Sequence, residues 1–464
     1  MADPEIPAGG RMSDVEALMW NLEKDPHLNS AFATVTILDR HPDMDRLRGR
    51  LLVAANSVPH LRHRVVSALG RLAPPEWRED PDFDLDFHVR EVALPSPGTE
   101  RQLFDLAAKL VADPFDRTRP LWEFTVIGGL EGGRAAMVQK MHHTITDGEG
   151  GVRMSVQFID VARDAPDPEP PAARPASEGR TRSLVDTAVE TMTHNLRRQA
   201  GLARRGIETV AEAVIHPSRL IGLPADAIEM TRSMGRQVAV SDERHSPVWT
   251  KRSLRRHFDA LSIPLAEAKE AAASLGASIN DLFVAGAAGG AGAYHRKRGA
   301  DVEELRMSMP VSTRSDKSSG GNAFAPSRVL VPVGPDPHSR LVEIHERLSV
   351  TKHERALGLT STLAGLVNVL PTSVLVRMAR SQVETVDFTT SNVRGAPWEL
   401  FIAGSRIEAN YPLGPVAGTA FNLTTISCNG NLDMGLHVDA AAVEDPDLLR
   451  RCLEESYAEL LLLR

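Results

Sequence analysis

The apolar positions of the first third of the chain follow strand spacing and helix spacing in turn. Residues 32 to 38 alternate as a strand does, and residues 44 to 55 carry apolar side chains at helical spacing. Residues 14 to 22 are also helical in pattern, and Ser13 before them is suited to cap a helix. Residues 135 to 141 are small or apolar without turn signals, which predicts a strand. The pattern therefore predicts a mixed α/β unit over residues 12–164.

The last part of the chain, residues 246–464, has the same mixture of patterns. Helices are predicted over residues 263 to 274 and 281 to 294, the second capped by Ser278 or Asn280. Strands are predicted at residues 304 to 309, 328 to 333 and 423 to 428. The second helix is rich in Ala and Gly, which indicates close packing against its neighbours. Long helices with mostly non-hairpin strands predict an α/β or α+β unit.

Residues 165–245, between these two units, have a different composition. Prolines at positions 166, 168, 170, 171 and 175 lie among acidic and small residues, which predicts an exposed linker. From residue 181 to 240 the spacing is helical, and four arginines lie between positions 197 and 205. We expect these helices to connect the two units. A basic amphipathic surface that meets anionic lipid is the alternative.

Length, charge and cysteine content narrow the class of protein. A chain of 464 residues exceeds one ordinary core, so two domains are expected. The net charge of -8 argues against a nucleic-acid partner. Two cysteines, Cys428 and Cys452, fit a reducing compartment. Neither a signal peptide nor a membrane-spanning stretch is recognisable, so a cytoplasmic location is expected.

The segment from His142 to Gly148, His-His-Thr-Ile-Thr-Asp-Gly, carries the most chemical information. It follows a predicted strand and precedes a helical run, a place where loops display catalytic groups. A histidine suits a general base because its ordinary pKa of about 6.5 leaves it largely neutral at pH 7. A metal site is the alternative, since His143 and Asp147 are four residues apart. Zinc needs three or four ligands, however, and no further ligand cluster lies nearby, so no metal is expected.

Other segments accompany this motif in the order that a known family has them. They are RPLWE at residues 119 to 123, SINDLF at 278 to 283, MPVS at 309 to 312, SNVRG at 391 to 395 and YPLGP at 411 to 415. With the HHxxxDG motif, they make the chain resemble bacterial wax ester synthase/acyl-CoA:diacylglycerol acyltransferases, within the CoA-dependent acyltransferase superfamily. The likeness extends from about residue 12 to the C-terminus.

The resemblance implies a fold and an activity. The implied fold is α/β (α+β), with two chloramphenicol-acetyltransferase-like domains whose mixed sheets are flanked by helices. A Pro-rich and helical linker joins the domains, and the catalytic histidine lies in a tunnel between them. The implied activity moves a long-chain acyl group from acyl-CoA, a substrate, to a fatty alcohol or a diacylglycerol. No cofactor is expected, contact with a membrane or lipid droplet is expected, and the oligomeric state stays open.

The resemblance also implies roles for individual residues. His143 is the general base, and His142 supports it, since adjacent side chains rarely point the same way. Asp147 shapes the loop by pairing with an arginine, either Arg62 or Arg64.

Four further residues are given either a supporting role or two alternative roles. Gly148 permits a tight turn after Asp147. Asn280 either donates to the oxyanion or caps its helix. Trp122 and Glu123 either line the acyl channel or brace the strand that carries His143, and bracing is favoured.

The chain departs from the family in three places, which leaves substrate preference open. Met12-Ser13-Asp14 stands where Ser-Pro precedes an acidic residue, Arg394 replaces a common proline, and Cys428 stands where tyrosine is frequent. Two other functions are compatible with the motif: a condensation-type acyltransferase that uses a carrier protein, and a lipid-binding or droplet-coating protein without turnover.

Overall fold

The computed structural model describes residues 10–67, 74–146, 148–167, 245–312, 324–352, 372–396 and 398–463. The predicted linker, residues 165–245, lies outside the described residues except at its two ends. The first half contains helices α1 (Asp14–Leu22), α2 (Met44–Ser57), α3 (Leu85–His88), α4 (Glu100–Ala112) and α5 (Gly148–Ser155). Its strands are β1 (Ala31–Leu38), β2 (His63–Val66), β3 (Glu76–Glu79), β4 (Val89–Ala93), β5 (Trp122–Leu130), β6 (Arg134–His142) and β7 (Ile159–Asp160).

The second half repeats this mixture of elements. Its helices are α6 (Leu265–Ser274), α7 (Ile279–Lys297), α8 (Pro337–Lys352), α9 (Thr372–Val383) and α10 (Pro446–Leu461). Its strands are β8 (Arg256–Pro264), β9 (Glu304–Ser312), β10 (Phe324–Pro332), β11 (Phe388–Val393), β12 (Phe401–Ile402), β13 (Ser405–Leu413), β14 (Phe421–Cys428) and β15 (Asn431–Asp439). This mixed two-domain architecture confirms the predicted fold class.

Local sequence explains where several helices begin. The Ser13 hydroxyl accepts from the Glu16 N–H while the Glu16 carboxylate accepts from the Ser13 N–H, a capping box. Ser278 and Asp281 cap α7 in the same way, so Ser278, and not Asn280, is the N-cap. The predicted helix from residue 263 is wrong at its start. Strand β8 extends to Pro264, which has no N–H to continue a helix backwards.

Two mixed sheets organise the described residues. The first has the strand order β4-β5-β6-β1-β13-β12-β7, and the second has the order β10-β9-β11-β14-β15-β8. Each sheet has its own apolar core, the second being covered by α7 and α10. Close packing of α7, predicted from its small residues, is confirmed: a Cβ added at Gly286 would lie 2.0 Å from Tyr457 Cε1.

One strand crosses between the two halves. Strand β13 comes from the C-terminal half of the chain but pairs antiparallel with β1, from Ala33↔Leu413 to Leu38↔Ile407. Its neighbour β12 pairs with β7, so both strands complete the first sheet. The predicted C-terminal domain, residues 246–464, therefore does not keep all its strands in one sheet. Strand β1 pairs with β6 along one edge and with β13 along the other, so neither edge is left unpaired.

Side-chain contacts around β13, the strand that crosses between the halves, join the two halves of the chain. Asp433 of β15 accepts hydrogen bonds from the Asn410 N–H at 2.7 Å and from the Ser262 hydroxyl at 2.8 Å. Burial raises the pKa of Asp433 to about 6, although these two hydrogen bonds act in the opposite direction. Phe104 of α4 also packs edge-on against Phe258 of β8, with ring centroids 5.0 Å apart. The two sheets therefore share polar and apolar contacts.

Among the described residues, no single helix is long and apolar enough to cross a bilayer. The pair α6 and α7 reaches that length and composition only together, and it is bent by 95°. Cys428 and Cys452 are both buried and unpaired.

Candidate active site

The histidine pair lies at the end of β6, where the neighbouring strands hold its backbone. The His142 N–H donates to the Leu121 carbonyl, and the His143 N–H donates to the Ser30 carbonyl, both at 3.1 Å. Strand β6 lies between β5 and β1 in the middle of the first sheet, so it has partners on both sides. The pair is therefore fixed by the sheet itself.

His142 is fully buried. Its Nδ1 accepts from the Thr144 N–H at 3.1 Å, so the proton is on Nε2, which lies 2.9 Å from Glu23 Oε1. Arg117 Nη2 lies 2.7 Å from the other Glu23 oxygen. Burial alone would raise the pKa of Glu23, but His142 and Arg117 outweigh it and lower the pKa to about 2. These contacts fix the orientation of the buried His142 ring.

His143 takes the opposite direction and lines a cavity of about 700 Å³. Its ring lies against Phe32, with ring centroids 4.5 Å apart and planes tilted by 33°. His143 is half-buried, because its ring packs against Phe32 on one side and faces the cavity on the other. The two adjacent histidines thus point apart, as the sequence predicts.

The cavity lies between the two sheets. Strands β1, β6 and β13 and helix α5 contribute to one wall, and β9, β10, β11 and β14 contribute to the other. Most of the lining side chains are apolar or uncharged polar. Among the described residues that line it, His143 is the sole imidazole. The arrangement suits acid–base chemistry on large, mostly apolar substrates.

The loop partners predicted for Asp147 are only partly described. Asp147 lies outside the described residues, so its pairing stays a prediction. Arg62 Nη1 donates to Asn56 at 3.2 Å, and its guanidinium lies 4.4 Å from the Phe83 ring centroid. Arg64 is half-buried in β2. Gly148 is the first residue of α5, directly after the position where the sequence predicts a tight turn.

The contacts of Trp122 and Glu123 favour bracing over channel lining. Neither residue is part of the cavity wall. The Trp122 indole N–H donates to the Leu61 carbonyl at 2.8 Å, and its ring stacks on His88 at 4.5 Å. Glu123 lies opposite Lys140 of β6, with 3.7 Å between the carboxylate and Nζ. Both residues therefore support β5 and β6 from outside the cavity.

Asn280 reaches the cavity only through another residue. It is half-buried near the start of α7, and its Oδ1 accepts from Asn392 Nδ2 at 3.3 Å. Asn392 lines the cavity and Asn280 does not. The oxyanion role of Asn280 stays a prediction, and Asn392 is the amide nearer to the substrate space.

Three residues of this site were missed by sequence reasoning. They are Glu23, Asn392 and Arg328, which come from distant segments. Asn392 lies within the SNVRG segment, so the motif was a signal for it. Glu23 and Arg328 had no such signal, because the neighbouring sequence does not indicate that Glu23 contacts His142 or that Arg328 lines the cavity.

One group of described residues has the spacing of metal ligands. It consists of His257, Asp259 and Asp447. None of the three lines the cavity, and Asp259 already lies 3.5 Å from guanidinium nitrogens of both Arg101 and Arg450. Two adjacent cations disfavour a metal ion at this carboxylate.

The paired sheets, the central HHxxxDG segment and the cavity define a two-domain acyltransferase of the chloramphenicol-acetyltransferase-like type. The overall fold matches the wax ester synthase/diacylglycerol acyltransferase from Marinobacter aquaeolei VT8, with a TM-score of 0.64, 22% identity and coverage of 98% of this chain and 99% of that chain. It also matches the starter condensation domain of rhizomide synthetase, with a TM-score of 0.59, 14% identity and coverage of 98% and 94%. These likenesses show the fold.

Sequence comparison identifies the family. The catalytic-domain model of wax ester synthase/diacylglycerol acyltransferase matches residues 12–283, and the family's C-terminal domain model matches residues 320–461. A Mycobacterium tuberculosis protein named as a diacylglycerol O-acyltransferase is 33% identical over 98% of this chain and 93% of its own length. Another from that organism, named tgs1, is 27% identical over 94% and 92%. The chain belongs to the wax ester synthase/diacylglycerol acyltransferase family. It is an acyl-CoA-dependent O-acyltransferase.

Proposed function

We propose that this enzyme esterifies a fatty alcohol, a diacylglycerol or both with a long-chain acyl group from acyl-CoA, and that His143 is the general base. The products are wax ester and triacylglycerol. The observation that carries the proposal is the position of His143. It is an imidazole fixed by its backbone, supported by Phe32 and open to a cavity of about 700 Å³ between the two sheets.

The reaction is a direct transfer. His143 takes the proton of the acceptor hydroxyl while the oxygen attacks the thioester carbonyl. The tetrahedral intermediate then collapses, the C–S bond breaks, and the imidazolium returns its proton to the departing thiolate. Atoms and charges balance without an acyl-enzyme, a metal or any other cofactor, so we propose that none is required. Apolar walls exclude water, which protects the thioester from hydrolysis.

The buried His142–Glu23 pair supports this chemistry through the backbone. Glu23 is ionised because His142 and Arg117 hold its pKa low, and the carboxylate in turn fixes the ring of His142. His142 is bonded to His143, so a fixed ring at one position restricts the direction of the next. We propose that this pair positions His143 and makes no contact with substrate.

An assay of the purified protein tests the proposal. Palmitoyl-CoA is offered with hexadecanol in one reaction and with a diacylglycerol in another, in the presence and absence of EDTA. We expect thiol release matched by ester on thin-layer plates, unaffected by EDTA. Thiol release without ester in either reaction would indicate hydrolysis. No release at all would contradict the proposal and favour a carrier-dependent condensation enzyme or a lipid-binding protein.

We propose a cytoplasmic protein that contacts a membrane or droplet surface peripherally. Three residues that line the cavity are also exposed: Val156 at 70%, Val161 at 74% and Trp398 at 57%. Large apolar side chains exposed at a cavity mouth suit contact with the lipid that supplies an insoluble acceptor. We expect the protein to float with liposomes in a density gradient. Recovery of all the protein in the aqueous fraction would contradict the proposal.

A further inference from the structure

A polar row crosses the cavity face of the second sheet. Arg328 of β10 lies opposite Ser308 of β9, Ser308 lies beside Thr389 of β11, and Thr389 lies beside Asn422 of β14. All four residues line the cavity. Neighbours in register on one face of a sheet present their side chains together. The row therefore forms a polar patch in an otherwise largely apolar wall.

Arg328 differs from every other residue of this wall because it carries a fixed charge. Among the described residues that line the cavity, no other Arg and no Lys, Asp or Glu is present. Its Nη1 donates to the neutral amide of Gln382. Within the described part of the chain, no carboxylate lies within ion-pair distance of it. Burial, with Arg306 nearby, lowers the pKa of Arg328, yet a guanidinium stays protonated at pH 7.

A half-buried cation without a carboxylate partner requires a hydrogen-bond acceptor to offset its lost hydration. Gln382 satisfies only part of a guanidinium, which has five N–H donors. Within the described residues no further acceptor is recorded for it, so water or a bound molecule can supply the rest. A substrate that carries carbonyl oxygens at this level of the cavity would supply them. An alkyl chain at this level offers no acceptor.

We infer that Arg328 donates a hydrogen bond to an ester carbonyl of a glyceride acceptor and so makes the enzyme favour diacylglycerol over a fatty alcohol. This inference rests on the proposed function and specifies its acceptor. A diacylglycerol brings two ester carbonyls into the cavity, whereas a fatty alcohol brings one hydroxyl and a hydrocarbon tail. Ser308 and Thr389, next to Arg328, add hydroxyl groups suited to the same polar head.

The phosphates of the acyl donor fit this position less well. The CoA head carries several negative charges, and proteins bind such groups with several cations or helix N-termini. Arg328 has only uncharged polar neighbours in its row, and the nearby cation Arg306 does not line the cavity. One guanidinium among hydroxyl and amide groups instead matches a neutral, ester-bearing head.

The test is the acceptor preference of Arg328→Met. This change keeps an unbranched, flexible stem and removes the guanidinium with its charge and donors. We measure kcat/KM for a diacylglycerol and for hexadecanol at saturating palmitoyl-CoA. The diacylglycerol-to-hexadecanol ratio should fall by about 10- to 100-fold, the usual loss for a hydrogen bond from a charged group. The KM for palmitoyl-CoA should not rise. Arg328→Lys should lie between the wild type and Arg328→Met.

A control variant shows whether the acceptor preference depends on Arg328 itself or changes when any arginine is removed. Arg347→Met removes an arginine of α8 that pairs with Glu304 and Glu343 outside the cavity, and it should leave the ratio unchanged. An unchanged ratio in Arg328→Met would overturn the inference, as would a wild type that esterifies only hexadecanol. A raised KM for palmitoyl-CoA would assign Arg328 to the donor phosphates and would also overturn it. If Arg328→Met does not fold, the ratio for Arg328→Lys decides.

A binding measurement separates this inference from the proposed function. A titration of dioctanoylglycerol followed by tryptophan fluorescence, to which Trp398 in the cavity wall contributes, needs no turnover. Suppose that the wild type makes no ester but binds dioctanoylglycerol more tightly than Arg328→Met does. That result would support the role of Arg328 and contradict the proposed function. If the wild type makes ester and both proteins bind dioctanoylglycerol equally well, the proposed function would be supported and the role of Arg328 contradicted.

Discussion

We expect His143→Ala to lower kcat for ester formation by about 100- to 10,000-fold, the range for loss of a general base. Without the imidazole, the acceptor hydroxyl keeps its proton and attacks the thioester slowly. The ring faces the cavity and packs on Phe32, so its removal leaves the sheet intact. Thiol release from palmitoyl-CoA in the presence of each acceptor, with circular dichroism as the check on folding, measures the effect.

A surface histidine provides the matched control for that variant. His338 is exposed at the start of α8, and His338→Ala should retain the wild-type rate. A folded His143→Ala protein with an undiminished rate would remove His143 as the base. A loss of rate accompanied by unfolding would assign it a structural role instead.

Gly435→Ala should destabilise the fold by about 3 kcal/mol, at the upper end of the usual range for overpacking. A Cβ added at Gly435 of β15 would lie 1.9 Å from the Pro412 carbonyl oxygen of β13. That oxygen belongs to backbone that pairs with β1, so it cannot move without disturbing the ladder. Urea unfolding followed by circular dichroism measures the free energy of unfolding.

Gly334→Ala is the matched control, because a Cβ there meets no atom within 4 Å. It should change the free energy of unfolding by less than about 1 kcal/mol. If Gly435→Ala were as stable as this control, the close approach of β15 to β13 would not contribute to the packing of the two halves. A large loss confined to Gly435→Ala would establish that contact.

The sequence predicted local elements well because local signals determine them. Residues 135 to 141 have an unbroken strand pattern, and they lie within β6. Ser13 and Ser278 have capping partners three residues later, and both begin helices. The direction of His143 followed from alternation between neighbours. The second histidine of the HHxxxDG motif lines the cavity between the two sheets.

Long-range partners could not be predicted in the same way. The residue pattern of β13 is compatible with either sheet, and its membership of the first sheet follows from its pairing with the distant strand β1. Glu23 reaches His142 from a turn after α1, and no spacing rule connects them. Arg328 sits in a strand whose alternation does not reveal that its face borders a cavity. The scaffold of the site could be predicted, but its electrostatic partners could not.

The crossing strand has a consequence for how lipids pass through the enzyme. Strand β13 is hydrogen-bonded to β1 along the first sheet, and Asp433 holds the Asn410 N–H from the second. The two halves therefore cannot swing apart without either separating β13 from β1 or breaking the contacts of β13 with the second sheet. We therefore expect a substrate with long acyl chains to enter lengthwise through the cavity mouth, and the finished ester to leave by the same kind of route.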